Sequence, residues 1–253
     1  MKAIIIGAGR GSRLRHETND VPKTLVPVLG RTMLDFILEA LEGGGIPRSD
    51  VVFVCGYAED VVRERHPELT FVRNADWENN NILLSLLTAR EHLVDGFVST
   101  YADIVYEADI VKKLVASPHA LTLGCDTRWR RRYVDRSQHP ETDAEKLRAE
   151  GSRVVEISRK IASDAASGEF IGVMRATKTG AASFLRAFDE AKAKYAGRTF
   201  REGRTFERAY LIDLLEEMVE AGAEMHRVDT PGGYMELDTL EDLAAAERWW
   251  STR

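Results

Sequence analysis

A short apolar run, Lys2-Ala3-Ile4-Ile5-Ile6, empties directly into Gly7-Ala8-Gly9-Arg10-Gly11-Ser12. Successive isoleucines bounded by glycine suit a strand buried on both faces. The alternating glycines let the chain turn tightly and let a ligand approach the main chain. Amide N–H groups in such a loop can surround phosphate oxygens. Arg13 and Lys23 follow, two cations able to meet separate oxygens of a triphosphate. A strand that hands flexible backbone to an anion is the entry to an α/β fold, provided the rest of the chain alternates accordingly.

It does. "RTMLDFILEALEGGG" has helical periodicity and ends on glycines, "VVFVCG" is a second apolar strand, "AEDVVRER" a helix and "LTFVRN" a short strand. The asparagines of "NNNILLSLLTAREHL" precede a helix they can cap. "FVSTYAD" is a strand that carries Asp103 to its exit, and "ALTLGC" a later core strand. "RVVEIS" and "GEFIGVMRA" return as strands, followed by helices after Thr177 and across Phe206 to Met218. "AEMHRVDT" is a last strand, "PGGYMELD" a loop, and a terminal helix begins near Thr239. With no repeat or long linker, residues 1–253 read as one domain. It is elaborated by a charged excursion over 126–150 and by a C-terminal portion, 177–253.

The net charge of −6 argues against a general nucleic-acid or acidic-membrane binder, and no apolar run is long enough to span a bilayer. Neither nucleic acid nor membrane is an expected partner. Cys55 and Cys125 form no disulfide framework or zinc motif, and "MKAIIIGAG" lacks a secretory cleavage region. Two buried free thiols and a cytoplasmic location are expected. A homodimer is open: "ERWW" at 247–250 either covers another surface or packs within the monomer.

Other phosphate-binding devices fit less well. The loop lacks the adjacent Lys-Ser/Thr that ends a P-loop, and its glycines do not keep GxGxxG spacing. No acidic residue closes "VVFVCG" to hold a ribose, which disfavours a dehydrogenase.

"IIIGAGRGSRL" followed by "DVPKTLVPVLGRTML" resembles the G-x-G-x-R and P-K-x-L-x-x-V pattern of nucleotidyltransferases that activate phosphorylated sugars and small alcohols. "YAD" at 101–103 and "MELDTLEDL" near the end extend the likeness over almost the whole chain. The resemblance implies an α/β fold: a single Rossmann-like mixed-sheet nucleotidyltransferase domain with helices on both faces. It also implies a nucleotide site made of Gly7, Ala8, Gly9, Gly11, Ser12, Arg13, Lys23 and Asn80, with Arg13 and Lys23 catalytic. Asp103 and Asp238 resemble the acidic pair that holds Mg²⁺. In the implied reaction a phosphate or phosphonate oxygen attacks the nucleotide's α-phosphorus and pyrophosphate leaves. Such an oxygen is already anionic, so catalysis rests on charge placement rather than on a general base.

The acceptor side is read from "DTRWRRRYVDR", where Arg128, Arg130, Arg131, Arg132 and Arg136 alternate with Trp129 and Tyr133. Either the run is a solvated face or its cations meet an acidic acceptor while the rings shape the pocket. The middle of the chain resembles bacterial phosphocholine and phosphonate cytidylyltransferases more than hexose-phosphate enzymes, since the acidic "EKP" segment of many sugar-specific relatives is absent. The resemblance therefore implies CTP and a small phosphonate or phosphomonoester as substrates, with Arg132, Lys146, Lys160 and Glu169 as acceptor-binding residues. Two alternatives stay open: a sugar-1-phosphate nucleotidyltransferase using UTP or dTTP, and a nucleotide-binding regulator without turnover.

Overall fold

The computed structural model describes residues 1–134, 136–202 and 204–250, apart from the side chains of Arg15 and Trp250. The part of "ERWW" contributed by Trp250 lies outside the described residues. In chain order the elements that position the site begin with β1 (Lys2–Ile6), α1 (Met33–Gly43), β2 (Val51–Cys55), α2 (Glu59–Arg65), β3 (Thr70–Arg73) and α3 (Ile82–Thr88). Next come β4 (Phe97–Tyr101), β5 (Ile104–Tyr106), α4 (Ala108–Ala116), β6 (Leu121–Asp126), β7 (Lys146–Glu150), β8 (Arg153–Ile157) and β9 (Gly168–Ala176). The chain closes with α5 (Lys178–Tyr195), α6 (Leu211–Glu220), β10 (His226–Thr230), β11 (Tyr234–Glu236) and α7 (Leu240–Trp250).

Among the described residues nine strands form one mixed sheet in the order β3-β2-β1-β4-β9-β6-β10-β8-β7. The half containing β3, β2, β1 and β4 is parallel, and β9 runs antiparallel between β4 and β6. Alternation along β1 explains why its isoleucines are needed on both sides. Ile4 and Ile6 pack with the helices α3, α5 and α6, whereas Ala3 and Ile5 pack with α1 and α4. Ile4 and Ile5 are fully buried, each contributing about 2 kcal/mol of hydrophobic stabilisation. The α/β class, the mixed sheet and the helices on both faces are as the sequence implies.

Local chemistry sets the helix starts. Thr32 and Asp35 form a reciprocal capping box at the head of α1. Thr177 accepts from the Gly180 N–H at the head of α5, and Asn81 accepts from the Ile82 N–H at the head of α3. None of the described helices is long and apolar enough to cross a membrane. Cys55 and Cys125 are free and buried, and burial pushes the Cys125 thiol up to about 12.

Three boundaries differ from the sequence reading. The charged excursion is narrower than 126–150, because Asp126 ends β6 and Lys146–Glu150 joins the sheet edge as β7. Phe206 lies in a separate single turn and Tyr210 sits at the N-cap of α6, so that helix begins only at Leu211. "PGGYMELD" is not simply a loop: its Tyr234–Glu236 pairs antiparallel with Ile104–Tyr106. Both partners are three residues long, too short for periodicity to register.

Gly172 marks a register shift in β9 at the heart of the sheet. Its φ of 73° is left-handed, and a Cβ there would lie 2.3 Å from Cδ2 of Tyr101. Gly172→Ala should therefore destabilise the protein by about 2 kcal/mol or more through backbone strain and overpacking. Urea unfolding measures this; an unchanged midpoint would show that the bulge is not held as described.

Candidate active site

β1 releases the chain at Gly7, and the loop that follows folds back over Lys23. Gly11, at φ 75°, is the pivot: a Cβ there would lie 2.5 Å from Cβ of Lys23. Only a bare backbone lets the lysine side chain pass beneath the loop. Its ammonium donates to Oδ2 of Asp103 at 2.8 Å and to Oδ1 of Asp238. The other oxygen of Asp238 pairs with Arg13 at 2.6 Å. One cation thus bridges two carboxylates separated by 135 residues of chain.

The β5–β11 ladder makes this possible. Ile104 pairs with Glu236, and beyond that pair the Leu237 N–H donates to the Asp103 carbonyl at 2.9 Å. Asp103 and Asp238 therefore leave the ladder side by side. The head of α7 then fixes Asp238, because Asp242 accepts from the Asp238 and Thr239 N–H groups at 3.0 and 2.9 Å.

The electrostatics follow from burial and neighbours. Burial pulls the Lys23 pKa down, but Asp103 and Asp238 more than offset this and hold it above the ordinary lysine value. Burial pushes Asp238 up, yet Lys23 and Arg13 outweigh it and keep its pKa low. At Glu236 the pull of Lys23 is outweighed. Burial, then the charges of Asp238 and Asp103, drive its carboxyl well above the usual range. His139 is buried beside this group, its ring nitrogens 3.5 Å from Glu236 and from Asp238.

Two cavities meet at this cluster. The smaller, about 340 Å³, is lined by Gly7, Ala8, Gly9, Gly11, Ser12, Arg13, Lys23 and Asn80. These are the residues expected to form a nucleotide site, and the fold gathers all of them. The Asn80 amide is already paired: it exchanges hydrogen bonds of 2.9 Å with Asn74, which also donates to Ser85. Trp77 and Asn81 line the same space, and sequence reasoning passed over Trp77. A lone aromatic between a strand and a helix carries no spacing signal.

The larger cavity, about 850 Å³, shares Arg13, Asn81, Asp103 and Asp238 with the smaller one. Lys160 and Glu169 are on its wall. Arg132 and Lys146 are not among its lining residues, a correction to their expected place against an acceptor. Arg132 is buried under that wall, paired with Asp126 at 3.2 Å and with Glu169. Lys146 is buried beside Glu169 at the β7–β9 pairing, and burial lowers its pKa. The rings expected to shape the pocket are also different ones. Trp129 and Tyr133 pack into a small cluster with Ala144, whereas Tyr101, Phe170, Tyr210 and Tyr234 line the cavity.

The arginine run is thus neither wholly solvated nor wholly turned to a ligand. Arg128, Arg130 and Arg131 are exposed. Arg132 and Arg136 are internal: Arg136 pairs with Asp242 at 2.5 Å and donates to the Glu236 carbonyl at 2.9 Å. They fasten the excursion to the sheet and to the segment that carries Asp238.

Solved structures share this architecture. A CTP:phosphocholine cytidylyltransferase from Streptococcus pneumoniae superposes with a TM-score of 0.73 at 22% identity, covering 98% of each chain. The inositol-1-phosphate CTP transferase from T. maritima gives 0.74 at 22% identity, covering 97% of this chain and 93% of its own. The fold is that of nucleotidyltransferases. Residues 3–156, more than half of the chain, match the family described as the MobA-like NTP transferase domain, and the protein belongs to that family. A curated relative, the CTP:phosphoglutamine cytidylyltransferase of Campylobacter jejuni, is 26% identical over 96% of this chain and 98% of its own. The CMP-5'-(3-aminopropyl)phosphonate synthase of Streptomyces rubellomurinus is 34% identical over 47% of this chain, which spans only 20% of that longer protein.

Removing the bridging cation leaves the buried carboxylate of Asp238 facing the part-buried one of Asp103. Lys23→Met should therefore cost about 3 kcal/mol of stability in chelator-treated protein, the usual scale for breaking a buried pair from one side. Urea unfolding checks it; stability equal to that of the parent would mean the ammonium does not join Asp103 to Asp238 in solution.

Proposed function

We propose that the protein is a Mg²⁺-dependent cytidylyltransferase that transfers CMP from CTP to a small phosphonate or phosphomonoester, releasing pyrophosphate. The observation that carries this reading is the position of Lys23, Arg13, Asp103 and Asp238 where the two cavities meet. A nucleotide in the glycine-lined cavity would present its α-phosphorus at that junction, and an acceptor oxygen would reach it from the larger cavity. The choice of CTP is supported by the relative aligned over nearly its full length.

The side chains divide the work by charge. Loop amides from Gly7 to Ser12 hold phosphate oxygens. Lys23, released from its resting carboxylates, neutralises charge growing at the α-phosphoryl group and places the attacking oxygen. Arg13, half exposed at the mouth, meets the departing pyrophosphate. Asp103 and Asp238 fit Mg²⁺, since both present hard oxygen donors that already converge on one positive charge. Bound there, the ion would neutralise triphosphate charge and help align the attacking and leaving groups. The acceptor's phosphate-type oxygen is anionic at neutral pH, so the site needs no side chain to deprotonate it.

Pyrophosphate release should appear with CTP ahead of UTP, GTP, ATP and dTTP in the presence of phosphorylated alcohols and phosphonates, and chelation should abolish it. Preferential turnover of a hexose phosphate with UTP or dTTP would replace this reading. Asp103→Asn should lower kcat by about a hundredfold, the scale of losing one preorganised electrostatic contact, while the unfolding midpoint moves little. Undiminished turnover in that variant would remove Asp103 from the mechanism.

A further inference from the structure

The larger cavity is more than twice the volume of its neighbour, far more space than a phosphate group occupies. One wall is built from the loop after β8, which carries Arg159 and Lys160, and from a hairpin pairing Thr199–Phe200 with Arg204–Thr205. Arg201 ties the described part of this wall to α6. Arg201 at the hairpin turn adopts a left-handed φ of 40°. Such a conformation is strained for a side chain with a Cβ and persists only when its surroundings enforce it. Here Glu216, Glu217 and Glu220 of α6 grip the Arg201 guanidinium.

Not every cation on the wall has an ion-pair partner among the described residues. Arg159 is closed off by Glu145 at 2.8 Å and Glu202 at 3.3 Å, and Arg201 by its three glutamates. Lys160 and Arg204 line the same cavity, and neither has a carboxylate within ion-pairing distance among the described residues. The Arg204 guanidinium lies 4.7 Å from the centre of the Tyr210 ring, which also carries Arg159 at 4.0 Å. Stacking orients a guanidinium and leaves its N–H edge available to a planar anion. Neither cation is hydrogen-bonded to the Lys23 cluster, so neither is committed to the nucleotide. Glu216 acts on Lys160 only from beyond pairing distance. Two cations without an ion-pair partner, in a cavity whose other cations are paired, favour a second negative group on the acceptor.

We infer that the acceptor is a carboxylated phosphomonoester or phosphonate, whose carboxylate is bound by Arg204 and Lys160. The inference rests on the transfer reading above and names the acceptor class for that same site. Arg204 and Lys160 are then specificity-determining residues: they hold the end of the acceptor that does not react.

Two pairs of compounds isolate the carboxylate. Phosphoserine differs from phosphoethanolamine by that group alone, as does aminopropylphosphonate from its counterpart carboxylated at the amine-bearing carbon. Calorimetry on the full chain, with Mg²⁺ and saturating non-transferable CTP analogue, should show the carboxylated member of at least one pair binding about tenfold more tightly, the scale of one charge-assisted contact. Arg204→Ala and Lys160→Ala should each remove most of that advantage while leaving affinity for the decarboxylated member and for the CTP analogue unchanged. Equal affinities within both pairs, no binding by either carboxylated compound, or equal losses on both members of a pair would overturn the inference. Pyrophosphate release, measured separately, reports on transfer itself: turnover without carboxylate preference refutes only the acceptor class.

Discussion

The ammonium of Lys23 between Asp103 and Asp238 ties together parts of the chain that otherwise share little. It joins the glycine loop after β1, the exit of β4 and the entry to α7 in one largely buried contact. Without the cation the carboxylates would repel each other at low dielectric, and without the carboxylates a buried lysine would lose its charge. The loop conformation depends on the same contact, because the side chain occupies the space that a residue larger than glycine at position 11 would need.

Two devices deliver Asp238 to that contact. The three-residue ladder between β5 and β11 brings it beside Asp103, and Asp242 holds its backbone N–H from below. Arg136 ties Asp242 to the excursion, and Arg132 ties the excursion to Asp126 and Glu169. A backbone hydrogen bond and an ion pair thus tie the junction of the two cavities to the excursion, and a second set of ion pairs ties the excursion to the wall of the larger one. Each link is buried, which makes it costly to break from one side and sensitive to geometry.

The glycine-lined cavity was legible in the sequence because its residues are local. A strand, a glycine loop and two cations fall within 23 residues, and every residue named from that pattern lines one cavity. The elements of the α/β core were legible for the same reason, since period and turn chemistry act over short spans. The lining of the larger cavity was not. Arg132 and Lys160 look equally basic in the sequence, yet Arg132 is buried between carboxylates and Lys160 is exposed to the cavity. Only tertiary burial separates a strut from a contact. Glu236 and His139 were missed as neighbours of Asp238 for a related reason: the ladder that turns Glu236 toward His139 is too short to predict.

The two internal arginines of the excursion have a consequence for how such a protein diversifies. Because Arg132 and Arg136 anchor the segment from within, the exposed side chains of Arg128, Arg130 and Arg131 are not needed to hold it to the sheet. Surface positions on a securely moored flap can drift without unravelling it. The scaffold thereby separates the residues that must be inherited together from those free to wander between lineages.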